Sequence, residues 1–127
     1  MSKSEPLTES YFYILLCLAK EPMHGYGIMQ ETERLSDGMV KIGSGTMYGA
    51  TSNMMKKKWI AECKVSGPGM ERKRMYELTG EGRKALEEEI CRLKRLIRGA
   101  EEITGQIEEN SKKSLGIAEN GLGGGAE

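Results

Sequence analysis

One stretch of this sequence alternates where the segments around it step by three and four. Trp59, Ala61, Cys63 and Val65 fall on one side and Ile60, Glu62 and Lys64 on the other, the two-residue period of a strand. Ser66-Gly67-Pro68-Gly69 then turns the chain, and Lys73 to Leu78 supplies a returning strand, so the segment predicts a β-hairpin. A two-stranded hairpin is marginal by itself in water. It has to lean on helices, and the flanking sequence predicts them.

Thr8 caps a first helix through Lys20, whose Tyr11, Ile14, Leu15, Leu18 and Ala19 form an apolar stripe widened by Phe12 and Leu16. Glu21-Pro22 ends it, because a residue before proline is pushed out of helical geometry. His24 to Leu35 reads as a second, shorter helix with Tyr26, Ile28, Met29 and Leu35 as its apolar positions. Asp37-Gly38 predicts a turn, and Met39 to Ile42 a short extended link. Ser44 or Thr46 caps a third helix to about Lys57, with Met47, Ala50, Met54 and Met55 turned inward. Thr79 caps a long final helix in which Leu86, Ile90, Leu93, Ile97 and Ala100 step by four, three, four and three. That 3.5-residue repeat is a coiled-coil seam, which requires a partner helix. From Asn110 onward the chain turns polar and Gly-rich, the composition of a disordered tail.

With 127 residues the chain is sized for one domain. Its longest apolar run, Tyr11 to Ala19, is far short of the roughly 20 residues that span a bilayer. The N-terminus does not read as a secretion signal, and three widely spaced cysteines (Cys17, Cys63, Cys91) fit reduced thiols; a cytoplasmic location is the expectation. The formal charge of zero is an average over unlike blocks. Residues 1–38 carry three Lys/Arg against six Asp/Glu, residues 39–99 fourteen against seven, and residues 100–127 two against six. A basic centre between acidic flanks is compatible with a polyanionic partner, since binding follows local field and not total charge.

That centre contains the feature most suggestive of function. Ser44, Thr46, Tyr48, Gly49, Ser52, Asn53 and Lys56 fall on the outer face of the third helix, Lys56-Lys57-Lys58 closes it, and no acid occurs between Ile42 and Ala61. Small hydroxyl and amide groups reach base edges in a major groove, and lysines meet phosphate. Three helices, a hairpin carrying Arg72, Lys73 and Arg74, and a last helix predict a mainly α fold with a small β-hairpin. This is a winged helix-turn-helix over residues 1–78, a C-terminal dimerisation helix over 79–109 and a tail over 110–127.

At this point the residues resemble a known family. His24-Gly25-Tyr26-Gly27-Ile28, the run Gly45-Thr46-Met47-Tyr48, and Lys73-Arg74-Met75-Tyr76-Glu77-Leu78-Thr79 followed by Gly82 look like the PadR family of transcriptional regulators, over about residues 5–98. The resemblance implies a homodimeric winged-helix repressor, held together by the last helix aided by the first. It implies an inverted-repeat DNA operator and release by a small, frequently aromatic, ligand. Thr46 and Tyr48 stand where family members touch DNA, and Lys73 and Arg74 where the wing does. The sequence departs from the family pattern at Gly49, where proline is usual, at Thr51, where an apolar residue is typical, and at Lys58-Trp59, where Gly-Leu is common.

The candidate DNA contacts are therefore Ser44, Thr46, Tyr48, Ser52, Asn53, Lys56, Lys57, Arg72, Lys73 and Arg74, and the candidate dimer contacts Tyr11, Leu15, Leu86, Ile90, Leu93 and Ile97. Thr51 is expected to return its hydroxyl to its own helix. His24, the sole histidine, is expected to cap or pack, so neither a metal nor a cofactor is expected. Met47, Met54, Met55 and Met75 read as core, Trp59 as packing, Cys17 and Cys91 as lying on or near apolar stripes, and Glu87-Glu88-Glu89 as an exposed helix side. No nucleophile, base and orienting group form a catalytic set. The alternative function is a winged-helix module that binds protein and has lost DNA.

Overall fold

The computed structural model describes residues 5–64 and 74–115, and of 106–115 the backbone alone. Its elements are α1 (Glu9–Lys20), β1 (Met23–His24), α2 (Gly25–Leu35), α3 (Ser44–Lys56), β2 (Ile60–Cys63), β3 (Met75–Leu78) and α4 (Gly80–Leu115). Residues through Ile90 form one compact unit and those from Cys91 a second.

Local chemistry sets the helix ends. The Thr8 hydroxyl accepts from the Tyr11 N–H at 3.2 Å, and the ring nitrogen Nδ1 of His24 accepts from the Gly27 N–H at 3.0 Å. His24 is thus a cap in fact, with its ring proton left to Nε2. The expected cap of α3 shifts by one residue. Gly43 holds that position with no side-chain bond, while Ser44 and Thr46 lie inside the helix. At the far ends, α2 and α3 close with the same device, a residue in left-handed geometry followed by two backbone bonds back into the last turn. Asp37 (φ 54°) and Gly38 serve α2, through Asp37 N–H to the Arg34 carbonyl and Gly38 N–H to the Glu33 carbonyl. Lys58 (φ 64°) and Trp59 serve α3, through bonds of 3.0 and 2.9 Å to the carbonyls of Met55 and Met54. Lys58 so occupies a site where glycine would be unstrained.

The sheet has three strands and not the expected two. β3 is central, pairing antiparallel with β2 (Ile60↔Leu78 to Cys63↔Met75) and with the two-residue β1 (Met23↔Tyr76, His24↔Met75). The segment from Met39 to Ile42 forms no strand, although Ile42 is buried. Burial follows the predicted alternation from Ala61 to Lys64, with Ala61 and Cys63 partly covered and Glu62 and Lys64 exposed; Ile60 departs from it and is buried, on the same side as Glu62. The hairpin tip, including Val65 and Ser66 to Gly69, lies outside the described residues.

The core gathers Ile14, Leu15 and Leu18 of α1, Ile28 of α2, Met47, Ala50 and Met54 of α3, Ile60, Tyr76 and Leu86. Each fully buried aliphatic side chain contributes roughly 1.5–3 kcal/mol relative to exposure. Thr32, Ser36, Thr51 and Glu89 are the buried polar residues among those described. The Thr51 hydroxyl donates back to the Met47 and Tyr48 carbonyls (3.0 and 3.1 Å), and the Thr32 hydroxyl lies 3.7 Å from Cys17 Sγ. Burial pushes the Cys17 thiol up. Cys91 departs from expectation and is exposed, because it lies one residue, about 100°, past the stripe position Ile90. Glu89 departs too: Glu87 and Glu88 are exposed but Glu89 is buried, three residues on from Leu86 and on the same face.

Thr79 joins the sheet to α4. Its hydroxyl accepts from the Gly82 N–H (3.0 Å) and lies 2.6 and 2.9 Å from the carbonyl oxygens of Lys58 and Trp59. At Gly82 the backbone packs so closely that a Cβ would collide with the Trp59 carbonyl oxygen and fall 2.8 Å from Leu78 Cδ1. From Cys91 to Leu115 the helix is a separate unit, with Leu96, Ile97 and Ile103 more than half exposed. The helix continues past Asn110, where the sequence places the start of the tail, since Ser111 to Leu115 contain neither glycine nor proline. Residues 116–127 of that tail lie outside the described residues. No helix among the described residues is long and apolar enough to cross a membrane.

Candidate nucleic-acid interface

The outer face of α3 is built as its spacing predicts. Met47, Ala50, Thr51 and Met54 anchor the inner side, which leaves Ser44, Thr46 and Tyr48 exposed along the first two turns. Lys56, Lys57 and Lys58 are exposed at the end. Ser52 is half-buried. The helix carries no acid.

Several of the predicted residues line two separate clefts. Ser44, Tyr48 and Arg74 line a cleft of about 560 Å³, together with His24, Tyr26 and Tyr76 and with a wall of Met29 and Met47. Asn53 and Lys57 line a different cleft, of about 550 Å³, with Tyr11, Trp59 and Leu7. There the Asn53 amide donates to the Tyr11 hydroxyl at 2.8 Å, and the Lys57 ammonium lies 5.2 Å from the centre of the Trp59 ring. Asn53 is thus tied to α1, a cross-element pairing that α3's own periodicity could not reveal.

Arg74 is exposed at the start of β3, and its Nε donates to Glu62 Oε2 at 3.1 Å, a diagonal pairing across β2 and β3. The Tyr76 hydroxyl and the Glu62 carboxylate hold the guanidinium above its ordinary pKa, with Tyr48 also within electrostatic reach. Arg72 and Lys73 lie outside the described residues. Among the described residues no group of three or more His, Cys, Asp or Glu is arranged to hold a metal ion.

The sequence reading missed Tyr26, Glu62 and Tyr76. Spacing makes Tyr26 an apolar position of α2, yet it is 64% exposed, comparable to Tyr48 at 69%. A signal was present: two positions before the buried Ile28 places Tyr26 about 200° round the helix from it. Among the candidate dimer contacts, Leu15 and Leu86 are buried in the protomer's own core, where a second chain would not reach them. Tyr11, Ile90 and Leu93 are partly covered, and Ile97 is exposed.

Comparison with known proteins agrees with this architecture. The model of the PadR-like transcriptional regulator family matches residues 14–88, more than half of the chain. The chain belongs to this family. The PadR-like segment holds α1 from Ile14 onward, α2, α3, the sheet and the root of α4. A transcriptional regulator from Clostridium thermocellum superposes with a TM-score of 0.62 at 22% identity, over 73% of this chain and 90% of that one. A PadR family regulator from Clostridium difficile gives 0.58 at 25% identity, over 79% and 98%. In sequence, the chain is 32% identical over 88 residues, 69% of its length, to an uncharacterized 37.1 kDa protein in transposon TN4556 of Streptomyces fradiae. The aligned part spans about a quarter (24%) of that relative.

Proposed function

We propose that this PadR-like chain is a sequence-specific DNA-binding transcriptional regulator, a homodimeric repressor of an inverted-repeat operator. The reading rests on one observation above all, the acid-free outer face of α3 with Ser44, Thr46 and Tyr48 exposed and three lysines at its end. Hydroxyl groups on such a face suit base edges and phosphate oxygens, and the lysines suit phosphate. The exposed Leu96, Ile97 and Ile103 support self-association through the outer part of α4. Two copies of α3 spaced about 34 Å apart would meet half-sites one DNA turn apart. The cleft beside Tyr11 and Trp59, at about 550 Å³, is large enough for a small aromatic effector that releases the operator. Free thiols at Cys17, Cys63 and Cys91 fit a cytoplasmic protein.

A mobility-shift titration against the DNA upstream of its own coding region tests the central claim. The log of affinity is expected to fall with the log of salt at a slope of about −0.9 per phosphate contact. Thr46→Ala is expected to change the preference among sequences, and Lys56→Ala to weaken all of them alike. Absence of salt-sensitive binding, together with capture of a stable protein partner, would move the assignment to a protein-interaction module.

A further inference from the structure

The cleft between α2, α3 and β3 contains more than the residues assigned to DNA above, and its contents point to one chemistry. Among the described residues lining it the permanent cation is Arg74, and Tyr26, Tyr48 and Tyr76 line the same space. Tyr26 and Tyr48 are both largely exposed, one from the start of α2 and one from α3. The Met29 and Met47 side chains supply an apolar wall. A cation and several hydroxyl donors beside an apolar wall match a sugar-phosphate unit, the charged oxygens meeting the donors and the deoxyribose the thioethers. Arg74, however, is already occupied: Glu62 reaches its Nε from the neighbouring strand at 3.1 Å, and both side chains are exposed.

We infer that this cleft seats a phosphate of the DNA backbone, that Tyr26 belongs to the contact surface, and that Glu62 competes with the phosphate for Arg74. The inference rests on the DNA-binding reading above and refines it. An exposed ion pair is weakly held, so Arg74 transfers readily to a better partner. A phosphate is such a partner because it accepts the guanidinium fork through two oxygens. The Glu62 carboxylate then faces the incoming anion and opposes it. Glu62 is therefore a brake on affinity that is indifferent to base sequence, and Tyr26 an anchor with the same indifference.

The test compares the unmodified protein, Glu62→Gln and Tyr26→Phe, binding the same operator duplex and a scrambled duplex across a salt series. Removing the competing carboxylate is expected to tighten binding about two- to fivefold per protomer at low salt, on both duplexes. It is also expected to steepen the salt slope, by up to about one counterion per protomer. Tyr26→Phe is expected to weaken binding to both duplexes by a similar factor, with thermal unfolding unchanged. Weaker binding by Glu62→Gln would overturn the inference, because Glu62 would then be positioning Arg74 for the phosphate. Unchanged binding in either variant would overturn it too. Failure of the unmodified protein to bind either duplex would instead bring down the DNA-binding reading on which the inference stands, a result told apart by the first lane of the titration.

Discussion

Glu31 shows how one carboxylate fastens two helices. It receives Arg34 through both oxygens, at 3.1 and 2.7 Å, from its own helix α2, and the Lys20 ammonium at 3.4 Å from α1. The Arg34 bonds first, and then Lys20, hold its carboxyl at about 2 against an ordinary 4.5. The folded group thus stays charged to lower pH than the unfolded one. Its contribution to stability is complete above about pH 4.5 and is lost as the pH falls toward 2. Glu31→Gln is accordingly expected to be less stable than the unmodified protein near neutrality, with the difference closing between about pH 5 and 2. Urea midpoints measured across that range check it, and a difference constant with pH would rule out the carboxylate as the source. The partner Lys20 lies on another helix, and no spacing within α2 announces it.

Among the elements, those ended by local chemistry were the most readable. Thr8 and Thr79 cap where the sequence places them, and His24, expected to cap or pack, caps, because a cap needs only the next three residues. The Asp37-Gly38 turn is readable for the same reason. Other features depend on distant chain. The strand β1 is two residues long, too short to show a period, and exists only because Tyr76 and Met75 lie beside it. The pairing of Asn53 with Tyr11 joins residues 42 apart in sequence, so the outer face of α3 could be read as a stripe but not divided into its two clefts. Thr79 bridges both kinds of information, capping α4 locally while reaching the Lys58 and Trp59 carbonyls from afar. Thr79→Ala is expected to cost about 2 kcal/mol, combining a lost cap with a lost, partly buried bond to the Lys58 and Trp59 carbonyls. Thr79→Ser keeps the hydroxyl and is expected to recover most of it, as chemical denaturation would show. Equal losses in both variants would place the effect in packing by the methyl group.

At the scale of the whole molecule, the sequence and the coordinates divide the labour of α4 differently. The sequence reads one seam from Leu86 to Ala100. In the structure Leu86 is spent on the protomer's own core, while Leu96, Ile97 and Ile103 remain exposed on the outer unit. The 3.5-residue step is the same for a helix packing on its own domain and one packing on a copy, so spacing alone could not separate them. Ile97→Asp is therefore expected to weaken self-association at least tenfold, by placing a charge in an apolar seam, while leaving the winged unit folded. Sedimentation equilibrium measures the first effect and circular dichroism the second. An unchanged association constant would remove this face from the interface.

The bond between Tyr11 and Asn53 has a further consequence. It links an α1 side chain on the expected subunit-facing side to the back half of the helix assigned to the operator, across 2.8 Å. A shift of α1, whether driven by a neighbouring protomer or by a molecule lodged beside Trp59, would tug the reading helix directly, with no intermediary loop to absorb the motion. Assembly and target choice would then be two ends of a single mechanical linkage.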